Sequence, residues 1–350
     1  INVSTDHMGL GGVNTLDELA RVKRIVVEAA RDTAVLNADD VLCLKMSAHT
    51  EAKHIFYVTT NSAHDLVKEH IRTGGKAVIL ENGINGSMIT IYDNHMQIPV
   101  LWTHLIPSTI EGKAIHNVQN AMFAVAICYS MNMSLDDIKD GLLSFTNSYS
   151  QAPGRLNIFD EYPFKVLMDY AHNPAALKVI GDLVRKMDVR GRRTLVIAAP
   201  GDRRDQDIAE FASIAATYFD DFIIKEDDDL QNRPIGEVAT LINNSLLASG
   251  IKPESIAIIA NEVYAIQHAL NNARAGDLVT LLVENVRRSW EQVVHFKDGH
   301  PEVNPVVAPL AKDIEEQISL SAELSQLIKG GIVSDERGVR LAYTDEEPSD

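Results

Sequence analysis

The sequence predicts an α/β protein whose second half is a doubly wound, mostly parallel, Rossmann-like domain. Three observations carry that expectation. Between residues 165 and 296, apolar runs of strand length alternate with helical patterns, the spacing of a parallel sheet with crossover helices. The segment 166–176, VLMDYAHNPAA, is a short apolar run that ends in a polar loop and turns at once into a helix. Asn173 is suited to cap that helix and Pro174 to its first position. The loops after the first three strands, DYAHN, PGDRRDQD and EDDDLQNR, are all strongly polar, and parallel sheets bind ligands beyond the carboxyl ends of their strands.

The elements follow in order. A helix is expected over 16–30, with Thr15 and Glu18 as a capping box. A strand at 33–37 leads into NADD, and two more are expected at 54–59 and 76–80. The alternation at 87–92 reads as a strand paired with 97–101 across DNHM. Helical patterns cover 118–131 and 135–145, and the polar stretch 146–154 is the expected domain boundary. Strands at 165–170, 194–199, 221–225, 255–260 and 277–284 then alternate with helices at 174–187, 207–219, 235–248 and 262–273. The expected domains are 1–150, 151–297 and an acidic tail, 298–350. That tail holds twelve Asp and Glu against four Lys and Arg, and reads as solvated chain with one short helix near 313–328.

Composition excludes several classes. A net charge of −17 without a basic patch speaks against nucleic-acid binding. No run reaches the roughly 18 apolar residues of a membrane span, and INVSTDH is too polar for a signal peptide. Cys43 and Cys128 are too few and too distant in sequence for a disulfide framework, which favours a reducing, cytoplasmic setting. No GxxxxGK[ST] phosphate loop occurs; Gly75-Lys76 and Gly112-Lys113 lack its upstream Gly and its Ser/Thr.

The stretches DHMGLGGVNTLDELARVKR, VLNADD, HNVQNAM, QAPGR, DYAHNPAAL, APGDRRDQDI, EDDDLQNR and RSWEQVVHFK, in this order and spacing, resemble the Mur ligase family. Within it, the GDRRD loop and the RSWEQVVHF ending are most similar to enzymes that attach arginine to a poly-aspartate backbone. The resemblance implies a partial central, ATP-binding domain followed by the family's C-terminal domain. It implies an ATP-dependent ligase that joins arginine to aspartate side-chain carboxylates through an acyl-phosphate, with ATP and Mg²⁺ as cofactors, in a cytoplasmic homo-oligomer. It also places the phosphate loop and an ATP-grasp region before Ile1, so that the chain would be an inactive piece by itself. A different class stays open: a silent structural or oligomerisation module of a synthetase that polymerises aspartyl-arginine units.

Residue by residue, the resemblance makes His7 a magnesium contact. Lys23 lies four residues after Leu19 and seven after Leu16, on one helical stripe, where burial would disfavour the charged amine. The family's lysine at this position carries a carbamate that helps to bind Mg²⁺; a snorkelling surface lysine is the alternative. Asn117, in HNVQN with His116 and Asn120, matches an asparagine that contacts the nucleotide base, and it also suits a helix cap. Arg155 matches a nucleotide-binding arginine, or ties the two domains together. Asp169 matches the residue that holds the ribose, and is expected to be partly wet at a strand end. Tyr170, His172 and Asn173 would line the same pocket, His172 either orienting substrate or acting as a base. Asp202, Arg203 and Arg204 are assigned to substrate carboxylates or phosphates. The acids Asp227, Asp228 and Asp229 are candidate selectors of arginine, with Arg233 taking its α-carboxylate; a solvated turn is the alternative.

Overall fold

The capping box forms as the sequence predicts. Thr15 Oγ1 accepts from Glu18 N at 3.2 Å, the Glu18 carboxylate accepts from Thr15 N at 3.0 Å, and α1 runs Leu16–Ala29. The computed structural model describes residues 1–4, 12–296, 332–335 and 338–341.

The first sheet has the strand order β1 (Thr33–Asn37), β2 (His54–Thr59), β3 (Lys76–Gly83), β4 (Gly86–Asp93), β5 (Met96–Trp102). Its first three strands are parallel, and β3, β4 and β5 form an antiparallel meander. The β4–β5 connection places Asn94 and His95 at φ 47° and 67°, the two left-handed residues that match the twist of a tight hairpin. Helices α2 (Val41–Lys45) and α3 (Asp65–Arg72), which the sequence pattern did not announce, complete the parallel crossovers. Two further helices, α4 (Ile115–Ser130) and α5 (Leu135–Ser144), cover one face. Val118, Met122 and Val125 there pack with Phe56, Val78, Ile89 and Ile91 in one buried cluster.

The second sheet contains β6 (Asn157–Phe159), β7 (Lys165–Asp169), β8 (Arg193–Ile197), β9 (Asp221–Ile224), β10 (Ile256–Ile258) and β11 (Leu278–Leu282), in the order β10-β9-β8-β11-β7-β6. All pairings are parallel except that of the edge strand β6. Helices α6 (Pro174–Lys186), α7 (Asp205–Ala215) and α8 (Glu237–Ala248) share one core cluster; α9 (Glu262–Asn272) and α10 (Val286–Val294) contribute to another. Burial on both faces explains why β11 is apolar at nearly every position. Because β11 returns between β7 and β8, the carboxyl ends of β7, β8, β9 and β11 meet at one edge.

Both sheets lie in one unit, 1–296. The second unit, 297–350, contributes the antiparallel strands β12 (Ile332–Asp335) and β13 (Gly338–Leu341). The tail helix expected at 313–328 lies outside the described residues. Among the described residues, no helix is long and apolar enough to cross a membrane.

Candidate functional site

A relay of side-chain amides joins the first sheet's helices to the end of β7. Asn117 and Asn147 both donate to Ser108 O, at 2.7 and 2.9 Å. Asn157, fully buried, donates to Asn147 O and Ala152 O, each at 2.8 Å, and accepts from Gly154 N at 2.7 Å. Gly154 O in turn accepts from Tyr170 N at 3.0 Å. Gly154 sits at φ +71°, and a Cβ there would lie 2.8 Å from Val286 Cγ2, so glycine is required both by conformation and by space. Asn117 Nδ2 is thus committed within the chain, and its Oδ1 accepts from Asn120 Nδ2 at 3.3 Å.

Asp169 departs from expectation. It is buried, and Oδ2 accepts from Leu156 N at 2.9 Å, clamping a residue held at φ 49°. Burial raises its pKa against the opposing pull of the Leu156 N–H and of Arg155. The carboxylate expected to be wet is turned inward because the linker turn needs an acceptor. Arg155 is exposed, with its guanidinium 5.6 Å from the Tyr170 ring centre. Tyr170 meets His172 edge-on at 5.4 Å, and His172 Nδ1 lies 3.0 Å from Tyr170 O. Asn173 caps α6, accepting from Ala176 N at 2.9 Å, and this capping bond occupies its side-chain oxygen.

The GDRRD and EDDDLQNR loops are locked together. A Cβ on Gly201 would lie 2.2 Å from Leu230 O, so the two backbones touch where only glycine fits. Arg233 donates to Gly201 O at 2.7 Å and Arg203 O at 2.6 Å, and pairs with Glu237 at 2.7 Å and Asp205 at 2.8 Å. Its fork is filled by these partners, which corrects the expectation that it receives a substrate carboxylate. Arg204 is likewise turned to Asp207, at 2.8 Å for both bonds. Arg203 remains on the site side and reaches both Asp202 oxygens at 3.1 Å.

The loop ends enclose a cavity of about 420 Å³. Its polar wall comprises Tyr170 and His172 after β7, Asp202 and Arg203 after β8, Asp227, Asp229 and Gln231 after β9, and Glu284 after β11. Asp228, the third expected selector, is absent from that wall and pairs with Arg288 at 2.9 Å.

Behind the wall lies a buried ion network that the sequence reading missed. Lys225 reaches Asp227 at 3.0 Å and Glu262 at 3.1 Å. Glu262 also accepts from Arg288 at 2.8 Å, Ser289 Oγ at 3.0 Å and Glu284 N at 2.8 Å. Burial would raise the Glu262 pKa; Lys225, the Glu284 N–H and Arg288 together pull it down to about 2. Glu284 accepts the Asp228 N–H through Oε2, and its own pKa is raised by burial, with Asp227 and Asp228 adding to the rise.

Of the two residues expected at magnesium, one is described. His7 lies outside the described residues. Lys23 is exposed on α1, one turn from the buried Leu19. Among the described residues, no three His, Cys, Asp or Glu side chains converge as a metal site.

Two family models match the chain: the Mur ligase middle domain over residues 1–128, and the Mur ligase, glutamate ligase domain over residues 154–282. The chain belongs to the Mur ligase family. It is similar to cyanophycin synthetases, being 39% identical over 298 residues to that of Nostoc sp., a match covering 83% of this chain and 32% of the relative. The cyanophycin synthetase of Crocosphaera subtropica is 36% identical over 291 residues, with 83% and 32% covered. The chain thus spans about a third of the length of these curated relatives. Among solved structures, Escherichia coli FolC in complex with DHPP and ADP shares the fold, with a TM-score of 0.61 at 17% identity over 85% of this chain and 61% of that one.

Proposed function

We propose that the chain is the Mur-ligase part of an ATP-dependent amide ligase that joins arginine to the side-chain carboxylates of a poly-aspartate backbone. The observation that carries this reading is the charge of the cavity wall. Asp202, Asp227, Asp229 and Glu284 stand there with the Arg203 guanidinium, which is already paired to Asp202. Such a wall attracts a planar cation and repels a triphosphate. By the same reasoning the nucleotide belongs at the rim, where the exposed Arg155 lies over Tyr170. ATP, when bound, supplies the activation of the carboxylate as an acyl-phosphate. Arg203 steadies anionic oxygens next to the cavity, and His172, on the same wall, takes up the proton of the attacking amine. Similarity to cyanophycin synthetases supports the choice of substrates, and assembly as a cytoplasmic homo-oligomer belongs to the same reading.

The test is phosphate release from ATP by the complete gene product, with poly-aspartate and arginine each present or omitted. Release that requires both is expected. Release that ignores arginine would favour the silent structural module instead.

A further inference from the structure

We infer that Glu284, not the acidic run after β9, is the carboxylate that selects a cationic side chain in this cleft. The inference rests on the proposed reading that an arginine-like amino acid is joined here.

The acidic run already has partners. Asp227 pairs with Lys225 at 3.0 Å and Asp228 with Arg288 at 2.9 Å. Asp229 accepts from the Gln231 backbone N–H at 2.9 Å and also from its side-chain amide. The run folds as a braced turn in which two of the three negative charges are matched by cations before any ligand arrives.

Glu284 stands differently. It comes from another strand end, is half-buried and lies on the cavity wall. Its Oε2 accepts the Asp228 N–H, which fixes the carboxylate in place. Among the described residues, no lysine, arginine or histidine pairs with it. Burial raises its pKa and the nearby Asp227 and Asp228 add to the rise, against the opposing pull of the Asp228 N–H and of Lys225 behind the wall. A cation entering the cavity is what this arrangement lacks, and a guanidinium brings a planar set of donors that a carboxylate can accept.

The geometry behind Glu284 is firm. Glu262 accepts from the backbone N–H of Glu284 at 2.8 Å and of Asn285 at 3.3 Å, and it holds both Lys225 and Arg288. One buried carboxylate therefore fixes the backbone under Glu284 and the cations that neutralise the acidic run.

Arginine and citrulline discriminate charge from shape, since the second replaces the guanidinium by a neutral urea of similar size. Steady-state kinetics with each, and with ATP varied, are measured on the complete gene product as wild type, E284Q and E284D, with thermal melts of each. For E284Q, the arginine KM rises about tenfold or more, the ATP KM stays within about threefold, and the arginine-over-citrulline preference falls about tenfold. E284D, which keeps the charge, recovers part of that preference. A wild type that uses arginine while E284Q keeps an arginine KM within roughly twofold overturns the role of Glu284 and leaves the ligase reading standing. A wild type without arginine-dependent turnover overturns both. Should E284Q lose its cooperative melt, E284D decides: an arginine KM unchanged within about twofold after the carboxylate is drawn back by one methylene overturns the inference.

Discussion

Lys225 and Glu262 face each other at 3.1 Å, each with only 1% of its side chain exposed. Removing one partner of such a pair leaves a charge buried without its counter-ion, which costs about 3–5 kcal/mol. Glu262→Gln is therefore expected to lower urea stability by that order, and Lys225→Met combined with Glu262→Gln by less than the two singles together. The acid limb follows as well. The Glu262 pKa is depressed from 4.5 to about 2, so its stabilising contribution is present above 4.5 and is lost as pH falls from 4.5 towards 2. A Glu262→Gln variant whose stability falls as steeply over that window as the wild type's would contradict the assignment.

Asp169 carries a structural bond that the linker cannot replace. Asp169→Ala removes the acceptor of a buried N–H, that of Leu156, and is expected to cost about 1–3 kcal/mol. Asp169→Asn keeps an acceptor and removes a buried charge, so it should cost less. Urea denaturation of both variants at neutral pH checks the order; equal losses would sink the argument.

Gly201 lies where two loops share one space. A methyl group 2.2 Å from Leu230 O must push the acidic loop outward. Gly201→Ala is expected to cost about 1–3 kcal/mol. It should also speed protease cleavage within 226–233. Cleavage at the wild-type rate would show that the loops yield freely.

Asn157 serves three backbone groups from a fully buried position. Asn157→Ala strips all three, and at about 1–3 kcal/mol for each unmet group the loss should exceed roughly 3 kcal/mol. Hydrogen exchange of the 146–157 amides should accelerate more than that of the second sheet; uniform acceleration would argue for global weakening instead.

Much of this fold was legible because its signals are local. The Thr15 capping box, the Asn173–Pro174 helix start and the strand–helix alternation each depend on residues close in sequence, and apart from β6, β12 and β13, which no apolar run announced, the strands fall where the apolar runs predict. The site was legible as a sheet edge but not as a charge map. Asp227, Asp228 and Asp229 look alike in sequence; what separates them is Lys225 at a strand end and Arg288, sixty residues beyond Asp228. Glu284 was missed because the short connection after β11 shows no cluster of charge. Asp169 was misjudged because a carboxylate at a strand end is ordinarily wet, and only the left-handed Leu156 turn shows why this one is not.

Arg233 has a consequence for ligand binding as a whole. Its fork grips the backbone of the GDRRD loop while its own backbone belongs to the loop that presents Asp229. Neither loop can shift without straining the same guanidinium. A ligand that settles one loop therefore settles the other, and thermodynamic linkage makes the effect mutual: whatever one occupant gains from the presence of a second, the second gains from the first.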